Sequence, residues 1–263
     1  VTEVIWAPAK LTVSLHVVGR RDDGYHLLDA EMVTLDLADR LEISAGATSL
    51  SMEAQGHTRA ENVSIGDDNL VVRALNAVQR EARIVLHKSI PVGGGLGGGS
   101  ADAGAILRWA GGVTPAVAAR LGADVPFCMS GGRARVEGIG EVLTPLPFLA
   151  RSFTLLVPPV FVDTAAVYRA HDALVDEGNP LANDVVNDLS AAALVVAPEL
   201  GRWRSLFAEA AGSEVHLAGS GSTWWVEGHP DALLGLETLR LDGVGAPLFF
   251  TDTVPQGWQG PTT

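Results

Sequence analysis

The feature that most constrains this chain is the stretch Pro91-Val-Gly-Gly-Gly-Leu-Gly-Gly-Gly-Ser-Ala101, in which six of the seven residues from Gly93 to Gly99 are glycine. Without Cβ atoms a backbone can turn through positive φ and lay its N–H groups against a ligand. The flanks give that surface a setting. Ile84 and Leu86 alternate with Val85 and His87 as in a strand, and Ala101 to Trp109 reads as a helix. A strand, a glycine loop and a helix start form an anion cradle, because the helix N-terminus adds partial positive charge. A flexible linker is the plainer alternative, but linkers are diluted with Ser, Thr, Pro and charge over longer spans.

With 47% apolar and 19% charged residues, the 263-residue chain has the composition of one or two globular domains. Its net charge of −13 argues against a nucleic-acid or anionic-membrane partner. A phosphate must then be held by backbone N–H groups, a few placed cations and a metal ion. No window approaches the roughly 18 consecutive apolar residues of a membrane helix. Glu3 and Lys10 lie in a strand-like N-terminal pattern unlike a secretory signal, so the cytoplasm is the expected compartment. A small molecule is the expected partner, with the chain a monomer or homodimer. The single cysteine, Cys128, rules out an intrachain disulfide framework and reads as a small buried hydrophobe beside Phe127 and Met129. Lys10 and Lys88 are the only lysines, so a task for a compact ammonium has two candidates.

From the N-terminus, Thr12 to Val18 alternates as a half-buried strand with Lys10 at its mouth, and Gly19 to His26 is a charged turn ending in Tyr25-His26. Strand signals follow at Val33 to Leu37, at Leu41 to Ile43 and, more weakly, at Leu50 to Met52. Asp67-Asp68 reads as the cap of a helix running to Val78. Beyond the loop, Thr114-Pro115 to Gly122 is a short helix, and Asp124 follows it, with Pro126 favouring an extended residue before it. From Phe153 the order becomes strand, a helix capped by Asp163, helices over Asp184 to Val196 and Glu199 to Ala210, strand, a turn at Gly219-Ser-Gly-Ser222, strand, a Pro230-initiated helix, and strand. That is the split β-α-β of ferredoxin-like domains, with extra helices. A division into residues 1–150 and 151–263 is expected, with a loose tail from Pro255.

Two common phosphate loops do not fit. A Walker loop ends in Gly-Lys-Ser/Thr, whereas here Gly99-Ser100-Ala101 has no lysine. The dinucleotide fingerprint matches Gly93, Gly95 and Gly98 only loosely, and no early βαβ unit surrounds it. Three motifs in order do fit one family: Ala7-Pro-Ala-Lys10, Pro91 to Ala101 with its Gly95-Leu96-Gly97 centre, and Gly219-Ser-Gly-Ser222. Together they resemble the GHMP kinase superfamily of galactokinase, homoserine, mevalonate and phosphomevalonate kinases. Gly19 to His26, Asp68-Asn-Leu70, Leu121 to Pro126 and Gly138-Ile-Gly-Glu141 extend the likeness to the branch whose acceptor is a diphosphocytidyl-linked methylerythritol.

The resemblance implies an α+β, two-domain GHMP kinase fold, with an N-terminal domain like domain 2 of ribosomal protein S5 and a ferredoxin-like C-terminal domain. It implies ATP as phosphoryl donor, with Mg²⁺. ATP would lie on Pro91, Val92, Gly93, Gly94, Gly95, Leu96, Gly97, Gly98, Gly99, Ser100 and Ala101, with Ser100 the candidate metal ligand. Asp124 would be the base and Lys10 its cationic partner, in keeping with a chemistry that needs a proton acceptor and a held cation. An ammonium beside a carboxylate favours its ionised form. Tyr25 and His26 are implied to take the cytosine ring, Tyr168 to stack on it, Thr12 to meet the polyol, and Gly219, Ser220, Gly221 and Ser222 to lie near the substrate's phosphates. Another small-molecule kinase of the superfamily and a silent nucleotide-binding member are the alternatives.

Overall fold

The computed structural model describes residues 2–56, 63–179 and 186–261. Two long antiparallel strands, β1 (Thr2–Arg20) and β2 (His26–Ser44), form the spine of the first sheet. They pair from Thr2↔Ser44 to Arg20↔His26, with register shifts between Pro8 and Lys10, Thr12 and Ser14, and Val17 and Gly19. The two strand signals around Val33 and Leu41 belong to one strand. Residues 32–35 are buried in succession, so the period-two pattern of a half-buried strand is lost at its middle.

The other edge of β2 is shared. Leu28–Val33 pairs with β5 (Arg133–Gly138), and Arg40–Ser44 with β4 (Arg83–Lys88). β3 (Ser49–Ala54) lies parallel to β4 after a crossover through α1 (Leu70–Ala77), and β6 (Val142–Pro145) completes the sheet beyond β5. No strand is expected from the sequence at the β5–β6 hairpin, although Arg133, Arg135 and Glu137 alternate there with Ala134 and Val136. The cap of α1 is Asn69, whose side chain accepts from the Val71 amide at 2.8 Å, in place of the expected Asp67-Asp68 pair. Asp68 instead takes the Ser64 hydroxyl.

Helices α2 (Gly98–Ala110) and α4 (Val125–Ser130) pack on this sheet, and α3 (Pro115–Leu121) packs against the helices. Every residue of α2 from Ala101 to Leu107 is buried, and small side chains let α4 come close. A Cβ on Gly104 would stand 2.7 Å from the Cys128 carbonyl carbon and 2.8 Å from the Met129 nitrogen. Arg108 donates to the carbonyl oxygens of Cys128, Met129 and Trp6, which satisfies the end of the short α4 and ties it to β1. Val125 is helical, not extended as Pro126 alone would favour. Burial of Val125 and Phe127 outweighs that local preference.

The second sheet has the order β10-β11-β7-β9-β8, from β7 (Ser152–Leu156), β8 (His216–Leu217), β9 (Trp224–Glu227), β10 (Thr238–Leu241) and β11 (Val244–Asp252). All its pairs are antiparallel. Leaving out the edge strand β10, this is the ferredoxin-like order, packed with α5 (Thr164–Asp176), α6 (Ser190–Val196) and α7 (Glu199–Ala211). The Pro230-initiated helix is replaced by a 3₁₀ turn, Asp231–Leu233. Leu234 and Leu236 stay exposed and Gly235 takes a φ of +81°, so no apolar stripe exists there to bury.

The helix expected from Asp184 starts only at Ser190; residues 180–185 lie outside those described. Asn187 forms a parallel bridge with Leu15, extending the edge of β1. The described part of the tail is not loose. Thr253 bridges Leu35, the Val254 amide donates to the Thr34 carbonyl, and Trp258 meets Trp6 with ring centroids 6.2 Å apart. Among the described residues no helix is long and apolar enough to cross a membrane.

The closeness of α2 and α4 is testable. Gly104→Ala is expected to cost about 1–3 kcal/mol through overpacking, a fall in Tm of roughly 2–10 °C in a thermal melt. An unchanged Tm would show that the two helices separate without penalty.

Candidate active site

The glycine loop leaves β4 at Lys88 and enters α2 at Gly97, its left-handed N-cap with φ of +69°. Leu96 turns its side chain into the core and pins the loop from below. The loop lies on β1: the Lys10 amide donates to the Leu96 carbonyl at 3.1 Å. A Cβ on Gly97 would come within 2.8 Å of Lys10 Cγ. On its other side the loop touches the second glycine motif. Gly95, at φ +76°, leaves room for the Gly221 carbonyl oxygen, which a Cβ would approach to 2.6 Å. Thr223 donates to the Gly94 carbonyl from its amide at 3.3 Å and its hydroxyl at 2.5 Å. Three segments far apart in sequence therefore meet backbone to backbone.

At this junction Lys10, 6% exposed, places Nζ 3.3 Å from Asp124 Oδ2 and donates to Thr12 Oγ1 at 3.2 Å. Asp124 is the N-cap residue of α4, but its side chain makes no capping bond and is 32% exposed. The carboxylate is thus free to face the cavity. Cys128 lies one turn further on; burial, with the Asp124 charge adding, pushes its thiol up to about 12, as suits an inert core residue.

Lys88 does different work from Lys10. It is buried beneath the loop, where Gly98 packs on its Nζ. Nζ pairs with Asp39 Oδ2 and, at 2.9 Å, with Asp102 Oδ2. Asp39 Oδ1 also accepts from the amides of Ser89 at 2.6 Å and Ile90 at 2.8 Å. Burial lowers the Lys88 pKa, but the Asp102 and Asp39 carboxylates outweigh it and hold the ammonium above its ordinary value. Burial holds the Asp102 carboxyl well above the usual range, with Lys88 opposing and Asp39 reinforcing.

Two cavities meet at the loop. The smaller, of about 280 Å³, reaches from it to Ser64, Asp68, Asn69 and Leu70. The larger, of about 1100 Å³, reaches from Lys10, Thr12 and Asp124 to Tyr25, His26 and Tyr168. Gly93, Gly95, Gly97, Gly98 and Gly99 border both. Pro91, Val92, Gly94 and Leu96 border only the smaller, and Ser100 only the larger. Ala101 is wholly buried and borders neither.

In the larger cavity Tyr25 is 60% exposed, whereas His26 and Tyr168 stack with centroids 4.7 Å apart and planes at 23°. Burial raises the Tyr168 pKa, with the Asp124 charge a second cause. Gly219, Ser220 and Gly221 line the wall. Ser222 does not: it is 1% exposed and donates to the Pro158 carbonyl at 3.4 Å. Ser220 pairs instead with the Thr164 hydroxyl at 2.9 Å.

Several supporting residues had no signal in the sequence. Asn187 Nδ2 donates to the carbonyls of Leu217 and Gly219, and its Oδ1 accepts from Leu189, so it holds the second glycine motif and the entry to α6. Asp39 and Asp102 lie within apolar runs that periodicity assigns to core. Asp172 could have been found, since it stands one helical turn after Tyr168 and therefore on the same face.

A glycine loop without a lysine, crossed by a strand whose Lys10 pairs with Asp124 at the start of α4, defines a class, and comparison agrees: a model of the GHMP kinases N terminal domain matches residues 69–132. The structure is similar to a crystal structure of 4-(cytidine 5'-diphospho)-2C-methyl-D-erythritol kinase, with a TM-score of 0.72 and 31% identity, covering 95% of this chain and 99% of that one. Homoserine kinase from Cytophaga hutchinsonii shares the fold at a TM-score of 0.63 and 16% identity, covering 99% of this chain and 96% of that one. In sequence, 4-diphosphocytidyl-2-C-methyl-D-erythritol kinase of Paracoccus denitrificans is 41% identical over 232 residues, 82% of this chain and 84% of the relative. The chain belongs to the 4-diphosphocytidyl-2-C-methyl-D-erythritol kinase family of GHMP kinases.

Contact between Gly95 and Gly221 should hold the two glycine motifs as one unit. Gly95→Ala is expected to speed amide hydrogen exchange across residues 93–97 and 218–223 together. Exchange unchanged in the second segment would mean that it is held independently.

Proposed function

We propose that this protein transfers the γ-phosphoryl group of ATP to the 2-hydroxyl of 4-diphosphocytidyl-2-C-methyl-D-erythritol, a cytoplasmic step in non-mevalonate isoprenoid precursor biosynthesis. One observation carries the chemistry: Lys10 Nζ lies 3.3 Å from Asp124 Oδ2 where the glycine loop crosses the Lys10 stem, at the inner end of the larger cavity. The loop amides and the N-terminus of α2 hold the donor phosphates. Asp124 accepts the hydroxyl proton at a carboxylate oxygen. The Lys10 ammonium orients Asp124 and holds charge that develops on the transferring group. Thr12 fixes the ammonium by accepting from it and borders the acceptor's polyol.

Mg²⁺, when bound, would supply charge neutralisation to the donor phosphates. The residues present fit such an ion held mainly by phosphate and water, with Ser100 in the first turn of α2 as the protein ligand. Among the described residues no group of three His, Cys, Asp or Glu side chains is placed to hold a metal alone, and Asp102 is engaged with Lys88.

The donor nucleoside is assigned to the smaller cavity and the acceptor to the larger. Tyr25, His26 and Tyr168 take the cytosine ring, and Gly219, Ser220 and Gly221 its diphosphate. An aromatic cluster at the far end of a 1100 Å³ cavity favours this acceptor over mevalonate, homoserine or a sugar, which have no ring to stack. Residues 1–150 and 151–263 are proposed as the two domains, with the acceptor between them.

Asp124→Ala is expected to lower kcat by about 10²–10⁴-fold while ATP titration shows binding retained. Near-native turnover would refute the role of Asp124. For Lys10→Ala, kcat should fall by a larger factor than ATP affinity, measured in the same coupled assay and titration. The reverse order would make Lys10 a binding residue alone.

A further inference from the structure

Asp172 lies outside every motif in the sequence, yet both its oxygens are engaged at the acceptor cavity. Oδ1 accepts from His26 Nε2 at 2.6 Å, and Oδ2 lies 3.2 Å from Arg20 Nη1. The His26 side chain is only 11% exposed, gripped by the Tyr168 ring on its face and by Asp172 at its edge. A carboxylate beside Arg20 accepts hydrogen bonds, so Nε2 is the ring nitrogen that donates, and with a single ring proton held there Nδ1 presents a lone pair. Among the described residues Nδ1 has no hydrogen-bond partner. Cytosine carries an exocyclic amino donor where uracil carries a carbonyl oxygen.

We infer that Asp172 is a positioning residue that selects cytosine over uracil by fixing His26 as a hydrogen-bond acceptor toward the base. This role rests on the proposed reading that the acceptor substrate places its cytosine at His26. Arg20 sharpens it. Because a guanidinium only donates, it fixes which end of any group at position 172 faces which partner.

Asp172→Asn tests this with a side chain of the same size. The amide oxygen turns to Arg20, the amide NH₂ faces Nε2, and the imidazole proton moves to Nδ1, which now donates. The ratio of kcat/KM for 4-diphosphocytidyl-2-C-methyl-D-erythritol to that for its uridine counterpart is expected to fall by about tenfold or more. Adding Arg20→Met to Asp172→Asn frees the amide to turn back and should recover part of the ratio. Loss of folding alone would lower both rates and leave the ratio unmoved. ¹⁵N NMR of His26 in the wild type is the second measurement: a proton on Nε2 is expected, and one on Nδ1 overturns the inference. If the wild type prefers the cytidyl acceptor and Asp172→Asn keeps that preference, the inference fails while the proposed function stands. A wild type that turns over both acceptors equally overturns the assignment of cytosine to His26 and the inference together.

Discussion

A buried ammonium between two carboxylates sets the position of everything at this site. Burying Lys88 with Asp39 and Asp102 costs several kcal/mol per ion in desolvation, and the arrangement survives because nearly every polar atom is used. Nζ meets both carboxylates, and the second Asp39 oxygen collects the amides of Ser89 and Ile90. Asp102 Oδ1 is the exception among these atoms, buried without a hydrogen bond. The cluster joins β2, the end of β4 and the first turn of α2. The strand that leads into the glycine loop and the helix that leads out are thereby held at one point, and glycine between them can be ordered.

With its ends held, the loop is placed by backbone contacts on both sides, to Lys10 below and to the second glycine motif beside it. A side chain on the glycines themselves is excluded from those contacts, so the geometry tolerates little variation. The base and its cation come from different elements: Lys10 from the middle of a sheet strand, Asp124 from the start of a short helix. Arg108 brings them into register by tying the end of α4 to the carbonyl of Trp6 on β1. Packing of Gly104 against Cys128 sets the depth of the same helix.

The first glycine motif was legible from the residues themselves, as a glycine run between a strand and a helix signal, whereas Lys10, Asp124 and the Tyr25-His26 pair were singled out through the resemblance to GHMP kinases, and Lys10 stands in the middle of β1, not at the strand mouth expected. Four strands of the second sheet were legible too, since short alternating runs there are separated by clear turns, but the edge strand β10 was missed, its first residues being read as the end of a helix. What failed did so for physical reasons. Strand β2 is buried in succession at its centre, which removes the period that marks a strand. The Pro230 segment has a good helix start but no apolar stripe to bury. Asp39, Asp102 and Asn187 act through partners from 14 to 51 residues away, and nothing in their neighbours announces a buried polar group. Ser222 shared a motif with three wall residues, yet the turn sends its hydroxyl inward.

Thr253 bridges Leu35 and Trp258 packs on Trp6, so the first sheet is met by a segment that follows β11, more than 200 residues further along the chain. Domains emerging from a ribosome usually fold in order, N-terminal unit first. Here the first sheet can collapse around β1 and β2 before the segment that follows β11 reaches Leu35 and Trp6. Its final closure is therefore coupled to the second sheet, whose last strand leads directly into the closing segment. The chain's topology thus joins the maturation of the strand that carries Lys10 to the arrival of β11 and the segment after it.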